Sequence, residues 1–279
     1  MDGAMTSDFV DSDGFQLEWL RAGTGIPMLI IGGAHFYPQY FPEAMRDHFD
    51  MVFCDSRHWV TTPKGFDLST LTLDMIADDY ERIRVAAGLE RPIVVGQSQH
   101  AYHALVYARR HPDRVRGVVL VAARRPSDNG DEGEFFERDA SPERKAQDAR
   151  IRAAVPAPDQ PVTSADFIDR YVANSAYFWF DPEVDRRYLW EGTVANIPVF
   201  DRMWDDDMLG GIRLEPSDIP TFLALGRYDY SAPYYEWDPF RPLFSNLTYR
   251  LYERSAHQPP FEQPDEFTAD MVEWARTLV

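Results

Sequence analysis

Cysteine is all but missing from this chain. Cys54 is the only one among 279 residues, which excludes an intramolecular disulfide framework and any cysteine-rich zinc module. Long apolar runs are missing too. Mean hydropathy is −0.42, and no stretch approaches the ~20 residues that a membrane-spanning helix needs. The opening residues, MDGAMTSDFVDSDG, are acidic and hold no apolar h-region, so they do not read as a secretory signal. Positive charge is scarce: 28 Lys and Arg against 46 Asp and Glu give a formal net charge of −18. A field of that sign repels phosphate backbones and anionic lipid, which argues against nucleic-acid and membrane partners. The expectation is a cytoplasmic protein whose partner is a small-molecule substrate. Repeats and low-complexity tracts are also lacking.

What remains is an ordinary globular composition, 44% hydrophobic and 27% charged, long enough to bury a sizeable core in one large domain or in a core with an inserted subdomain. Strand and helix signals alternate through the first half. Residues 15–21 (FQLEWLR) alternate apolar and polar; 27–31 (PMLII), 49–54 (FDMVFC), 92–95 (PIVV) and 115–122 (VRGVVLVA) read as strands. Residues 71–87 and 99–110 carry helical spacing between them. This rhythm predicts an α/β fold with a mainly parallel sheet covered on both faces. The pattern changes over 126–215, where 20 acids face 10 bases and twelve aromatic residues fall at helical spacing. It reads as a helical insertion with loops at 127–133 and 156–161 (PAPDQP). Strands resume at 220–225 and 248–252, and a helix over 264–278 closes the chain.

Three turns carry the chemistry. In Val94-Val95-Gly96-Gln97-Ser98-Gln99-His100-Ala101 an apolar strand runs into Gly-x-Ser and a helix follows at once. A serine there sits on a strained turn with its hydroxyl clear of the sheet, and the helix N-terminus behind it favours a developing anion. The strand 222–225 ends in Gly226-x-x-Asp229, which places an aspartate at a carboxyl strand end. His257 follows the last strand. Singly, each is as well read as a loop residue. Together they fall in the order nucleophile, acid, base, each directly after a strand.

On these residues the chain resembles the α/β-hydrolase superfamily over nearly its whole length, and within it the capped, proline-iminopeptidase-like hydrolases. The stretches His257–Phe267 (HQPPFEQPDEF) and Tyr107–Val115 (YARRHPDRV) look like the family's segments after its histidine and at the end of the helix behind the nucleophile. The resemblance implies a core at 1–125 and 216–279 with a helical cap, or lid, at 126–215. It implies Ser98, Asp229 and His257 as a catalytic triad: a hydroxyl activated by an imidazole, whose tautomer a carboxylate fixes. It implies an oxyanion hole from the N–H of Gln99 and a second donor in the turn after 27–31, Gly33 or else Ala34. Such hydrolysis requires no metal and no organic cofactor.

The chain also departs from the family at three turns, each time with a histidine. His100 stands where the elbow's last glycine is expected, His35 in the turn after 27–31, and His58 in the turn after 49–54. One reading gives them a substrate carboxylate or a metal; the other, favoured in the absence of a motif such as H-E-x-x-H, has each filling space or bonding locally. Ala34, His35, His100, Trp179 and Trp204 are the candidate pocket residues, with the cap aromatics roofing a largely apolar acyl or alcohol group. The run Asp205-Asp206-Asp207 reads as a solvated helix end. The leading expectation is a serine hydrolase of a small ester, lactone or related acyl compound. An aminopeptidase that holds a substrate amine on a cap acid such as Glu191, and a non-hydrolytic binder or cyclase on the same scaffold, remain alternatives. A homodimer through the insertion stays open, with no heptad or apolar stripe to argue for it.

Overall fold

The computed structural model describes residues 5–124, 132–205, 208 and 213–278. Its strands are β1 (Thr6–Ser12), β2 (Phe15–Gly23), β3 (Ile26–Ile31), β4 (Phe49–Cys54), β5 (Ile93–Gln97), β6 (Gly117–Val121), β7 (Thr221–Gly226) and β8 (Leu247–Tyr252). They form one sheet in the order β1-β2-β4-β3-β5-β6-β7-β8. The first two pairings, β1 with β2 and β2 with β4, are antiparallel, and all later ones are parallel. The central strands are fully buried because both faces are covered: Val94 of β5 packs to one side of the sheet, Ile93 and Val95 to the other. Helices α1 (Leu73–Ala86) and α2 (Gln99–Arg110) supply the first side through Ile76, Tyr80, Ile83, Ala104 and Leu105. The Thr72 hydroxyl caps α1 by accepting from the Met75 N–H.

One strand escaped the sequence pattern. Residues 6–12 read only as an acidic start, yet they pair as β1 along the edge of β2 through the turn Asp13-Gly14, where φ is +54° and +86°. Two consecutive left-handed residues of the type Asp-Gly make the tight hairpin turn whose twist suits antiparallel strands. Most β1 side chains are exposed, so no alternation betrays the strand; its backbone ladder to β2 places it, with Ser12 bonded to Asp79 and Val10 against the core at its far end.

Between β6 and β7 the described residues form helices α3 (Glu132–Asp139), α4 (Pro142–Ala154), α5 (Ser164–Ala173) and α6 (Ile197–Arg202), with shorter helical turns and no strand. The expected loop at 127–133 lies mostly outside the described residues, as do 206 and 207 of the acidic run; residues 132 and 133 already belong to α3. The 156–161 loop precedes α5, which starts on a Thr163–Asp166 capping box. This segment lies over the carboxyl ends of the strands. Asn196 donates from its backbone N–H to the His58 carbonyl at 2.8 Å and from Nδ2 to the Val60 carbonyl at 2.7 Å, and Arg202 reaches the Leu71 carbonyl at 2.9 Å. The last helix, α7 (Pro264–Arg276), packs Phe267, Met271 and Trp274 on the second face.

A buried cation fastens the antiparallel edge to the rest. Arg57, just past β4, is 0% exposed; it donates to Asp79 of α1 at 2.6 and 2.7 Å and to Asp13 of the β1–β2 turn at 2.6 Å. Its guanidinium also packs 4.7 Å from the Phe15 ring centre. Removing one partner of such a pair leaves a desolvated charge. Asp79→Ala is expected to lower the unfolding free energy by about 3–5 kcal/mol, read from urea midpoints; a loss below about 1 kcal/mol would mean that the pair behaves as a solvated one.

Candidate active site at the carboxyl edge of the sheet

Ser98 occupies the single residue between β5 and α2, at φ +57° and ψ −124°. A non-glycine residue there is strained by on the order of 1–3 kcal/mol and persists only where its surroundings hold it. Those surroundings are visible. The Ser98 N–H donates to the Val121 carbonyl at 2.8 Å, and the Ser98 carbonyl accepts from the Ala101 N–H at 3.1 Å. A Cβ on Gly96 would fall 2.1 Å from the His100 carbonyl oxygen, so only glycine lets α2 start this close to β5. Gln99 is the first residue of α2, and the first N–H groups of a helix have no partner within it.

Asp229 and His257 meet behind this turn. Asp229 Oδ2 lies 2.7 Å from His257 Nδ1, while its Oδ1 accepts the N–H groups of Ser231 and Ala232 at 2.9 and 2.8 Å. Both side chains are buried. A carboxylate on Nδ1 keeps a proton there and leaves Nε2 as the basic nitrogen. The His257 loop is tied to the serine strand by Gln97, which donates from Nε2 to the His257 carbonyl at 3.2 Å.

The turn after β3 differs from expectation. The Gly33 N–H, taken as the second oxyanion donor, donates to the Cys54 carbonyl at 2.8 Å, beside the Gly32 N–H on the same oxygen at 2.9 Å. The Ala34 N–H donates to Asp55 Oδ1 at 2.9 Å. A donor engaged with a buried carbonyl is not open to an oxyanion, so in this arrangement neither residue serves. His35 turns toward the β2 edge and places Nε2 2.9 Å from Glu18 Oε2.

His58 and His100 pair with each other. Their Nε2 atoms are 3.0 Å apart, and their rings stack with centroids 5.0 Å apart at 10°. Burial holds both well below the usual imidazole range, so both are neutral. The ring of His100 fills the place beside Gly32, where a Cβ would come within 2.4 Å of it; φ there is +107°. Local packing and bonding thus account for His100, while His58 pairs through Nε2 and keeps a buried Nδ1 with no hydrogen-bond partner; among the described residues no group of three His, Cys, Asp or Glu side chains is placed to hold a metal ion.

The aromatic residues at the site are not those expected. Trp179 is buried against Phe261 and under the Arg186 guanidinium, and Trp204 is 42% exposed. Phe178 stands nearest the base instead: its ring centre is 5.5 Å from that of His257, and its carbonyl accepts the His257 N–H at 3.0 Å. Tyr171 stacks on Phe178 at 4.6 Å, and Trp190 joins Tyr171 to Phe36 at 4.9 and 4.6 Å. The run Tyr177–Phe180 announced an aromatic contact. The four-residue helical turn Ser175–Phe178 resets the phase, and only the fold shows which ring points at His257.

Strand order, strained serine and buried Asp–His pair define the α/β-hydrolase class, and comparison with known proteins agrees. The chain belongs to the alpha/beta hydrolase fold family, whose model it matches over residues 25–264; it is a hydrolase. It is similar to the AB hydrolase superfamily protein YclE of Bacillus subtilis, 31% identical over 274 residues that cover 94% of this chain and 96% of that one. A proline iminopeptidase of Neisseria gonorrhoeae is 31% identical over 111 residues, 38% of this chain and 36% of its own. A solved thermophilic esterase from Thermogutta terrifontis shares the fold, with TM-score 0.66 and 20% identity over 99% of both chains. No helix among the described residues is long and apolar enough to cross a membrane.

Burial pushes the Asp55 carboxyl up to about 6, against the opposing pull of the Ala34 N–H and His35. The folded value lies above the ordinary 3.8, so folding favours the protonated acid. That stabilisation is complete below about pH 4 and lost as pH rises through about 6. Asp55→Asn keeps an acceptor for Ala34 but cannot titrate. Between pH 8 and pH 5 the wild type is expected to gain about 1.4 kcal/mol on the variant; parallel stability curves from urea unfolding would refute the assignment.

Proposed function

We propose that the protein is a serine hydrolase of small, largely apolar carboxylic esters, lactones or related acyl compounds, working through Ser98, His257 and Asp229. The observation that carries this reading is a serine strained at a strand-to-helix turn, joined through the Gln97 amide to the loop of a buried His257–Asp229 pair. His257 Nε2 takes the Ser98 proton as Oγ attacks the acyl carbon. Asp229 keeps the imidazole in the required tautomer and stabilises the imidazolium. The developing oxyanion is met by the Gln99 N–H at the positive end of α2. His257 then gives its proton to the leaving alcohol, and a water activated by the same nitrogen hydrolyses the acyl-enzyme.

The helical segment 126–215 acts as a cap. Phe178, Tyr171, Trp190 and Phe36 supply an apolar wall beside the base, which suits an alkyl or aryl group better than a charged one. An aminopeptidase would need a carboxylate facing that wall to hold its substrate amine. Glu191 is exposed, and half-buried Glu262 already accepts from the N–H groups of Phe180 and Ala256 and from the Ser255 hydroxyl. Both favour the ester reading.

A fluorophosphonate probe is expected to label Ser98 and short p-nitrophenyl esters to be turned over, with proline p-nitroanilide left intact. Ser98→Ala should abolish both labelling and turnover, and Asp229→Asn should lower kcat by about 10⁴. Labelling that survives Ser98→Ala would dismiss the mechanism. An unlabelled, inactive wild type would favour a binding protein or cyclase, and turnover of the proline anilide an aminopeptidase.

A further inference from the structure

A line of buried polar side chains crosses beneath the site, and its hydrogen bonds run in one direction only. The direction is set at one end. The His257 carbonyl can only accept, so the Gln97 amide atom 3.2 Å from it is the NH₂ group, which also donates to Gln258 Oε1 at 3.4 Å. Gln97 Oε1 therefore faces Tyr37 and accepts its hydroxyl proton at 3.3 Å. With that proton committed, the Tyr37 oxygen can only accept, at 3.0 Å, from His100 Nδ1. A neutral His100 protonated on Nδ1 has a bare Nε2, which must accept from His58 Nε2–H at 3.0 Å. With the Tyr37 proton on Gln97 the tautomers of both rings follow, and His58 Nδ1 is left unprotonated and without a hydrogen-bond partner. The four side chains are buried, and burial keeps the tyrosine and both imidazoles in their neutral forms.

We infer that His58, His100 and Tyr37 are positioning residues that act through Gln97, orienting its amide so that it clamps the base loop at His257 to the strand bearing Ser98. Gln97 immediately precedes the nucleophile, and its donated bond is the polar link from that strand to the His257 backbone. A flipped Gln97 amide would set Oε1 against the His257 carbonyl and NH₂ against the Tyr37 hydroxyl. That flip would require Tyr37 to accept from Gln97 and donate to His100, reversing both imidazoles. The coupling of the two histidines, of which His100 fills the gap beside Gly32, makes this reversal cooperative. The two histidines at turns where the chain departs from its family are then one device for holding nucleophile and base at working separation, where a misplacement of an ångström is costly in rate.

The inference rests on the serine-hydrolase reading, and the test separates the two. Kinetics with a p-nitrophenyl ester and the rate of fluorophosphonate inactivation are measured for Tyr37→Phe, Gln97→Leu and the double variant. Each single change is expected to lower kcat by about 10-fold with KM little altered, and the double variant to be no slower than Gln97→Leu, because both cut one chain. His100→Asn, which keeps a donor at the Nδ1 position, should retain most of the rate that His100→Leu loses. Nitrogen-15 shifts of the ring atoms should show His100 protonated on Nδ1 and His58 on Nε2, independent of any activity. Multiplicative losses in the double variant, an unaltered kcat in Tyr37→Phe, equal rates for the two His100 variants, or the opposite tautomers would each overturn the inference. A wild type that neither hydrolyses nor reacts would instead sink the hydrolase reading on which it rests.

Discussion

The bend at Ser98 is the constraint on which the rest of the structure depends. A serine at φ +57° is not a conformation the chain adopts unaided. It is imposed because β5 is pinned inside a parallel sheet, the Ser98 N–H is bonded to β6, and α2 must begin at once to cover the same sheet. The close approach demands glycine at 96 and puts the hydroxyl at the edge, where the loops after β7 and β8 bring Asp229 and His257. Strain, sheet order and site are therefore one arrangement. Loosening the packing of α2 on β5 would relax the bend and lower the hydroxyl into the loop.

The same packing explains the histidine that replaces the elbow's last glycine. A side chain at position 100 has to go somewhere as α2 closes on β5, and space for it opens beside Gly32, whose φ of +107° gives the β3 turn a shape without a Cβ. An imidazole buried there must have its nitrogens satisfied. Tyr37 takes one and His58 the other. Glycine at 32 and histidine at 58 and 100 thus form one steric and polar solution. Truncating His100 leaves a hole beside Gly32, and a side chain at 32 would collide with the His100 ring.

Much of this was legible in the residues, for identifiable reasons. The buried strands announced themselves as short apolar runs, most of them ending in glycine or aspartate, and α1 and α2 by helical spacing. The turns that carry Ser98, Asp229 and His257 were legible because each directly follows such a run. What could not be read is what depends on contacts between distant turns. An exposed edge strand such as β1 has no hydrophobic period, although its Asp13-Gly14 turn was there to be weighed. Trp179 and Phe178 are adjacent, and nothing in their order says which one meets His257. The His58–His100 pair joins positions 42 residues apart. Each histidine alone looked like a separate anomaly.

The occupied Gly33 N–H bears on how acyl transfer would be supported here. Oxyanion donors are worth about 2.7–4 kcal/mol each in hydrolases of this kind, and one at Gln99 alone would leave much of that unrealised. Yet the Cys54 carbonyl holds two donors, Gly32 and Gly33, on one oxygen. Turning Gly33 toward an oxyanion leaves that carbonyl still paired through Gly32, so the loss is one hydrogen bond's net value, about 0.5–1.5 kcal/mol. Ala34 is held more firmly: its N–H is a buried donor to Asp55 Oδ1, and withdrawing it would take a donor from a carboxyl already disfavoured as an anion. On this balance Gly33, engaged with the Cys54 carbonyl, is held less firmly than Ala34, which anchors the turn to Asp55.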